Sequence, residues 1–120
     1  MNISKELLSE ILQYKVGKFH IDTSNSTPYI DVWLASDLSG INDSINIYEL
    51  AHKCKEWALN KNYSIATEFM RNEDEGDWFI CIVKRYTDEA QYIEAKFYDE
   101  PTEPEAIFKS CKWILDNKDK

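Results

Sequence analysis

Glycine is scarce in this chain. Three residues, Gly17, Gly40 and Gly76, stand among 120. They are too few and too far apart to build a phosphate-cradling loop or a dinucleotide fingerprint. No Gly-x-Ser-x-Gly elbow exists for an acyl-transfer serine. Proline is equally rare at three, and together these scarcities exclude low-complexity and collagen-like chains. Cysteine also numbers three, Cys54, Cys81 and Cys111, with no Cys-x-x-Cys. Each falls at an apolar-phase position of an expected helix or strand, so reduced core thiols are expected rather than a disulfide framework. Histidine is limited to His20 and His52. His52 and Cys54 lie about 200° apart around a helix and do not converge on one metal ion, while structural zinc wants four ligands. No apolar run approaches the length of a membrane span. The start, Met1 to Glu6, carries an acid too early and lacks the apolar core of a secretory signal. A single cytoplasmic domain over residues 1–120 is expected, with no cofactor, metal or membrane association.

Aromatic and apolar side chains are plentiful: 43% of residues are hydrophobic, with four Trp, seven Tyr and five Phe. That supplies a core. The net charge is −8, and it is concentrated. From Glu68 to Glu105 twelve acids face four bases, while the residues before and after sum to −2 and +2. Direct nucleic-acid binding is disfavoured, because phosphates need the opposite sign. An acidic surface keeps a protein soluble or meets a basic partner.

Periodicity gives the elements. A stripe of Ile3, Leu7, Ile11 and Tyr14, widened by Leu8 and Leu12, predicts a helix over 3–16, with Asn2 as N-cap and Gly17 as its left-handed stop. Strands are expected over 18–22 and 29–35, the second alternating Ile30, Val32 and Leu34 with Tyr29, Asp31 and Trp33. Residues 36–44 read as loop. Asn46 and Glu49 open a second helix with a capping-box-like start, and Asn60-Lys61-Asn62 ends it. Strands follow over 63–70, 78–86 and 91–98, joined by the turns 72–77 and 87–90; connections this short imply an antiparallel meander. The 78–86 strand is apolar on both faces, with Trp78, Ile80 and Ile82 opposite Phe79, Cys81 and Val83. A strand of that kind is expected to be covered on both sides. Thr102-Glu103-Pro104-Glu105 is a capping box with proline in the first turn, opening a helix over 104–117. The fold class expected is α+β: a mostly antiparallel sheet of four to five strands with helices on both faces, an α/β/α sandwich.

The stretch from Asn46 to Trp57, the Trp78-Phe79-Ile80-Cys81 strand and the terminal Thr102 to Cys111 resemble the phage ABA-sandwich family, over roughly residues 46–117. The resemblance implies a small phage- or prophage-type protein with helix layers on both sides of a sheet. It brings no assigned activity and no catalytic residues.

Chemistry is thin. His20 and Asp22 share a strand face and could form an oriented base, but no nucleophile is tied to them, and a surface ion pair is the favoured account. The Asn72–Asp77 oxygens invite calcium without the spacing of an EF-hand; a hairpin turn guarding a sheet edge by charge accounts for them too. The acids Asp99, Glu100, Glu103 and Glu105 suit the dipole of the last helix. Aromatics off the core faces are the better lead, since exposed Trp and Tyr mark interfaces. The candidate interface residues are therefore Trp113, Trp33, Tyr92 and Tyr98, with the acidic turn residues Glu73, Asp74, Glu75 and Asp77. The expected function is non-enzymatic: an accessory protein acting by protein–protein contact, with itself as a homodimer or with a basic protein. The alternative is an acidic inhibitor, an immunity or anti-defence protein, that covers the basic surface of a nucleic-acid-acting enzyme. A third reading, a small hydrolase or ligand-binding protein, rests on His20 and Asp22.

Overall fold

A computed structural model describes residues 1–24, 26–86 and 94–117; within the last stretch the side chains of residues 94, 95, 98 and 99 are not described. The element order is α1 (Lys5–Leu12), β1 (Val16–Asp22), β2 (Tyr29–Leu34), β3 (Asp43–Asn46), α2 (Ile47–Asn60), β4 (Tyr63–Met70), β5 (Trp78–Arg85), β6 (Glu94–Glu100) and α3 (Glu103–Asn117).

The strands form two three-stranded antiparallel sheets, in the orders β1-β2-β3 and β4-β5-β6. The α+β class holds; the single sheet of four to five strands does not. Residues 43–46 pair with β2, Ile30 opposite Ile45, although Asp, Ser and Asn give them the composition of a loop. The helices do not lie on both faces. Each helix touches the other two, so they share a layer. The molecule measures 46 × 41 × 18 Å between backbone extremes. Three layers at about 10 Å spacing need about 20 Å before any pleat or helix radius is added. Two layers fit: the helices on one side, both sheets on the other.

One core fills the space between the layers. Leu7 and Leu8 of α1, Ile30 and Val32 of β2, Leu50, Cys54 and Ala58 of α2, Val83 of β5 and Phe108, Cys111 and Ile114 of α3 are all buried in it. Burying one such aliphatic side chain contributes about 1.5–3 kcal/mol.

Capping explains the helix limits. Ser4, not Asn2, caps α1 by accepting from Leu7 N–H at 3.0 Å. The helix stops at Leu12 because Gln13 takes the left-handed turn, with φ 63°. Gly17 has a different duty from the helix stop expected of it. It lies in β1, where a Cβ would come within 2.8 Å of the Ala35 Cα and 3.0 Å of the Leu34 carbonyl oxygen. Close backbone approach, not a left-handed φ, demands glycine there. Asn46 caps α2 by accepting from Tyr48 and Glu49 N–H, and Asn62 has φ 68° after it. Thr102 accepts from Glu105 N–H at 3.3 Å and donates to the Glu105 carboxylate. Each cap of this kind contributes about 1 kcal/mol.

Candidate functional site

The two sheets bury the same kind of face and expose different ones. In the first sheet Ile30, Val32 and Ile45 point to the core, with Phe19 and Ile21 packed beside them. Alternation sends Lys18, His20 and Asp22 of β1 and Tyr29, Asp31 and Trp33 of β2 to the other side. Lys18 lies 4.6 Å over the Trp33 ring, and Ser44 donates to the Asp31 carboxylate at 2.8 Å. This outer face is mostly polar; of its two large aromatics, Trp33 lies under Lys18 and Tyr29 is 41% exposed.

In the second sheet Tyr63, Ile65, Val83 and Phe97 pack on the core. The opposite face therefore carries Ser64, Ala66, Glu68 and Met70 from β4 and Trp78, Ile80, Ile82 and Lys84 from β5. The register sets Ala66 beside Ile82 and Met70 beside Trp78, with Lys96 of β6 on the far side of Ile82. Trp78, Ile80, Ile82 and Met70 are only half-buried, and Ala66 is exposed. Among the described residues no helix covers this face: α2 and α3 pack on the other. The two-sided apolar pattern of 78–86 was expected to mean cover on both sides. Among the described residues, helices cover one.

The aromatic candidates divide. Trp113 was placed off the core face of its helix; it is half-buried, with Tyr63 edge-on at 6.2 Å and Phe97 at 6.4 Å. Its helix is packed round more than one stripe, since Ala106 and Phe108 are buried as well as Ile107, Cys111 and Ile114. The periodicity erred because α3 meets α1 and α2 as well as all three strands of the second sheet. Trp33 is half-buried under Lys18. Tyr92 and the side chain of Tyr98 lie outside the described residues.

Glu73, Asp74, Glu75 and Asp77 are all exposed at the β4–β5 turn. Asn72 shapes that turn by accepting from Asp74 and Glu75 N–H, and Gly76 supplies φ 90°. Just behind it Phe69, 53% exposed, lies 5.2 Å from Phe79. No signal at helix or strand period marks this aromatic pair; only the register across the hairpin joins them.

The chemical candidates are occupied elsewhere. Asp22 accepts from the Ser24 N–H and hydroxyl at 2.9 and 2.6 Å. Those bonds hold its carboxyl below the usual range. His52 pairs with Glu56 at 2.7 Å on the exposed side of α2, away from buried Cys54. The three thiols are buried. Cys111 donates to the Cys54 carbonyl at 3.5 Å; its partnership with Cys54, and then burial, push its pKa far up. Burial pushes Cys81 up as well. Groups held as thiols this firmly are poor nucleophiles. No group of three or more His, Cys, Asp or Glu able to hold a metal occurs among the described residues.

An open cleft of about 390 Å³ separates the start of α1 from α3, floored by Ile3 and Phe108. Its charges are paired already, Lys109 with Glu100 at 2.8 Å and Lys112 with Asp116 at 2.9 Å. Among the described residues, no helix is long and apolar enough to cross a membrane.

Comparison with known proteins adds no constraint: no family model, no curated protein and no solved structure matches the chain.

Proposed function

We propose that this chain is a non-catalytic, cytoplasmic accessory protein of phage or prophage type that works by protein–protein contact, through the outer face of its second sheet. One observation carries the reading: Met70, Trp78, Ile80 and Ile82 form a contiguous apolar strip with no helix over it among the described residues. Strips of this kind on soluble proteins mark contact surfaces. Trp and Met are also side chains that interfaces favour. A photo-reactive residue at position 80 tests the reading, with the same residue at position 20 beside it. Irradiation in the cell that makes the protein gives a covalent protein adduct at 80 and none at 20. Absence of any adduct at 80 would remove the reading.

A second reading keeps the acidic inhibitor of a basic, nucleic-acid-acting enzyme. It is favoured by exposed Phe69 standing directly behind Glu73, Asp74, Glu75 and Asp77. A contact of that type weakens steeply as salt rises, whereas an apolar sheet face does not.

A further inference from the structure

On its inner face the second sheet carries two aromatic sites, one complete and one open. At the complete site Phe97 lies opposite Cys81 in the register, and the Lys109 ammonium of α3 stands 5.9 Å over its ring. The Glu100 carboxylate holds the same ammonium at 2.8 Å. Ring, cation and carboxylate form one unit, because the face of an aromatic ring attracts a cation that a neighbouring acid keeps in place. One row further along the strands the register runs from Phe69 to Phe79 to Glu100. Two rings are present there, 5.2 Å apart and tilted at 58°, and Phe69 is 53% exposed. Among the described residues no cation stands over either ring.

Carboxylates are present at the open site too. From this row the chain runs into Glu73, Asp74, Glu75 and Asp77, all exposed. Among the described residues no ion pair reaches their carboxylates. Asn72 holds the turn through backbone N–H groups instead. Glu68 stands on the other face, opposite Ile80. Arg71 is exposed and is the one base between Glu68 and Asp77, against five acids. The row therefore has the rings and the acid of the Phe97 site and lacks the cation.

Resting on the acidic reading above, we infer that Phe69 and Phe79 take an arginine side chain from a basic partner protein, with the turn carboxylates as its ion-pair partners. Arginine suits this row better than lysine. Its guanidinium is planar and weakly hydrated, so it stacks on a ring while its N–H fork still donates to a carboxylate. Lysine carries a compact, strongly hydrated charge, and Lys109 reaches Phe97 from a helix already packed on that sheet. The donor is not this chain. Its two arginines are Arg71 and Arg85, and Arg85 lies 5.7 Å over the Tyr63 ring. Arg71 of a second copy would bring that copy's own acidic turn against this one.

Two capped peptides, hexa-arginine and hexalysine, test the inference on the purified full chain at low salt. NMR follows the Phe69 and Phe79 rings and the backbone N–H groups of residues 73–77. Both peptides shift the turn; hexa-arginine alone shifts the rings, and it binds about fivefold more tightly. Phe69→Ala lowers the hexa-arginine affinity to that of hexalysine and leaves hexalysine unchanged. Because the truncation could unsettle the hairpin, Phe69→Tyr supplies a second arm: it keeps a ring and keeps the preference for arginine. Equal affinity for the two peptides, or a preference that survives Phe69→Ala, overturns the arginine site while the acidic reading stands. Failure of both peptides to shift the turn discards the two together.

Discussion

The two sheets of this protein are built alike and finished differently. Each has three antiparallel strands and one face pressed on the same core. The outer face of the first is mostly polar, with His20, Asp31 and Ser44 exposed or hydrogen-bonded and Trp33 lying under Lys18, although Tyr29 at its edge is exposed. On the second the outer face is apolar along its central strand, with Trp78, Ile80 and Ile82 half-exposed. A face left apolar costs solubility unless something covers it, which is why the difference points to function on the second sheet.

The largest expected effect separates the inner and outer faces of β5. Val83→Asp puts an unpaired charge into a site with no exposed surface and costs about 4 kcal/mol or more, enough to unfold much of the population in a urea titration. Ile82→Asp, one residue along, costs the monomer about 1 kcal/mol or less. Equal losses would erase the distinction between the faces. Next comes the first sheet's tight point. Gly17→Ala drives a Cβ against the backbone of residues 34 and 35, costing about 1–3 kcal/mol. At roughly 4 °C per kcal/mol the melting temperature falls by about 4–12 °C. Thr102→Ala, which uncaps the helix over the second sheet, costs about 1 kcal/mol and lowers the melting temperature by about 4 °C.

The smallest effect is a pH dependence in the first sheet. Tyr14 donates to the Asp43 carboxylate. Desolvation first, and the bond to Asp43 second, raise its pKa above 10.0. A raised folded-state pKa gives stability that is present below pH 10.0 and is lost as pH rises through the folded value. Tyr14→Phe therefore flattens the alkaline fall in stability, as measured by urea midpoints on either side of that pH. An unchanged slope would mean that the bond contributes nothing.

Much of the second half was legible in advance. Asn46, Asn62 and Thr102 each carry a side chain or a backbone preference that fixes a helix end locally, and the structure uses all three. Where tertiary contacts decide, the sequence misled. Gly17 carries the local signal of a helix stop, yet a neighbouring strand end requires it, and Gln13 takes the left-handed position instead. Residues 43–46 become a strand through pairing with β2 despite their loop composition. Trp113 looked outward only because a single stripe was assumed for a helix that is packed on several sides. The apolar alternation of 78–86 was seen correctly. The cover it implied on both sides is found on one among the described residues, because no local rule tells which face of a strand the helices take. Phe69 beside Phe79 was invisible without the hairpin register.

The central claim is that the second sheet's outer face, and not the first's, is the contact surface. A dilution series followed by NMR reads both faces at once, through the methyls of Ile80 and Ile82 with the Trp78 indole, and through His20 with the Trp33 indole. The account predicts that the first group shifts with concentration while the second stays fixed. Shifts confined to His20 and Trp33 would contradict it.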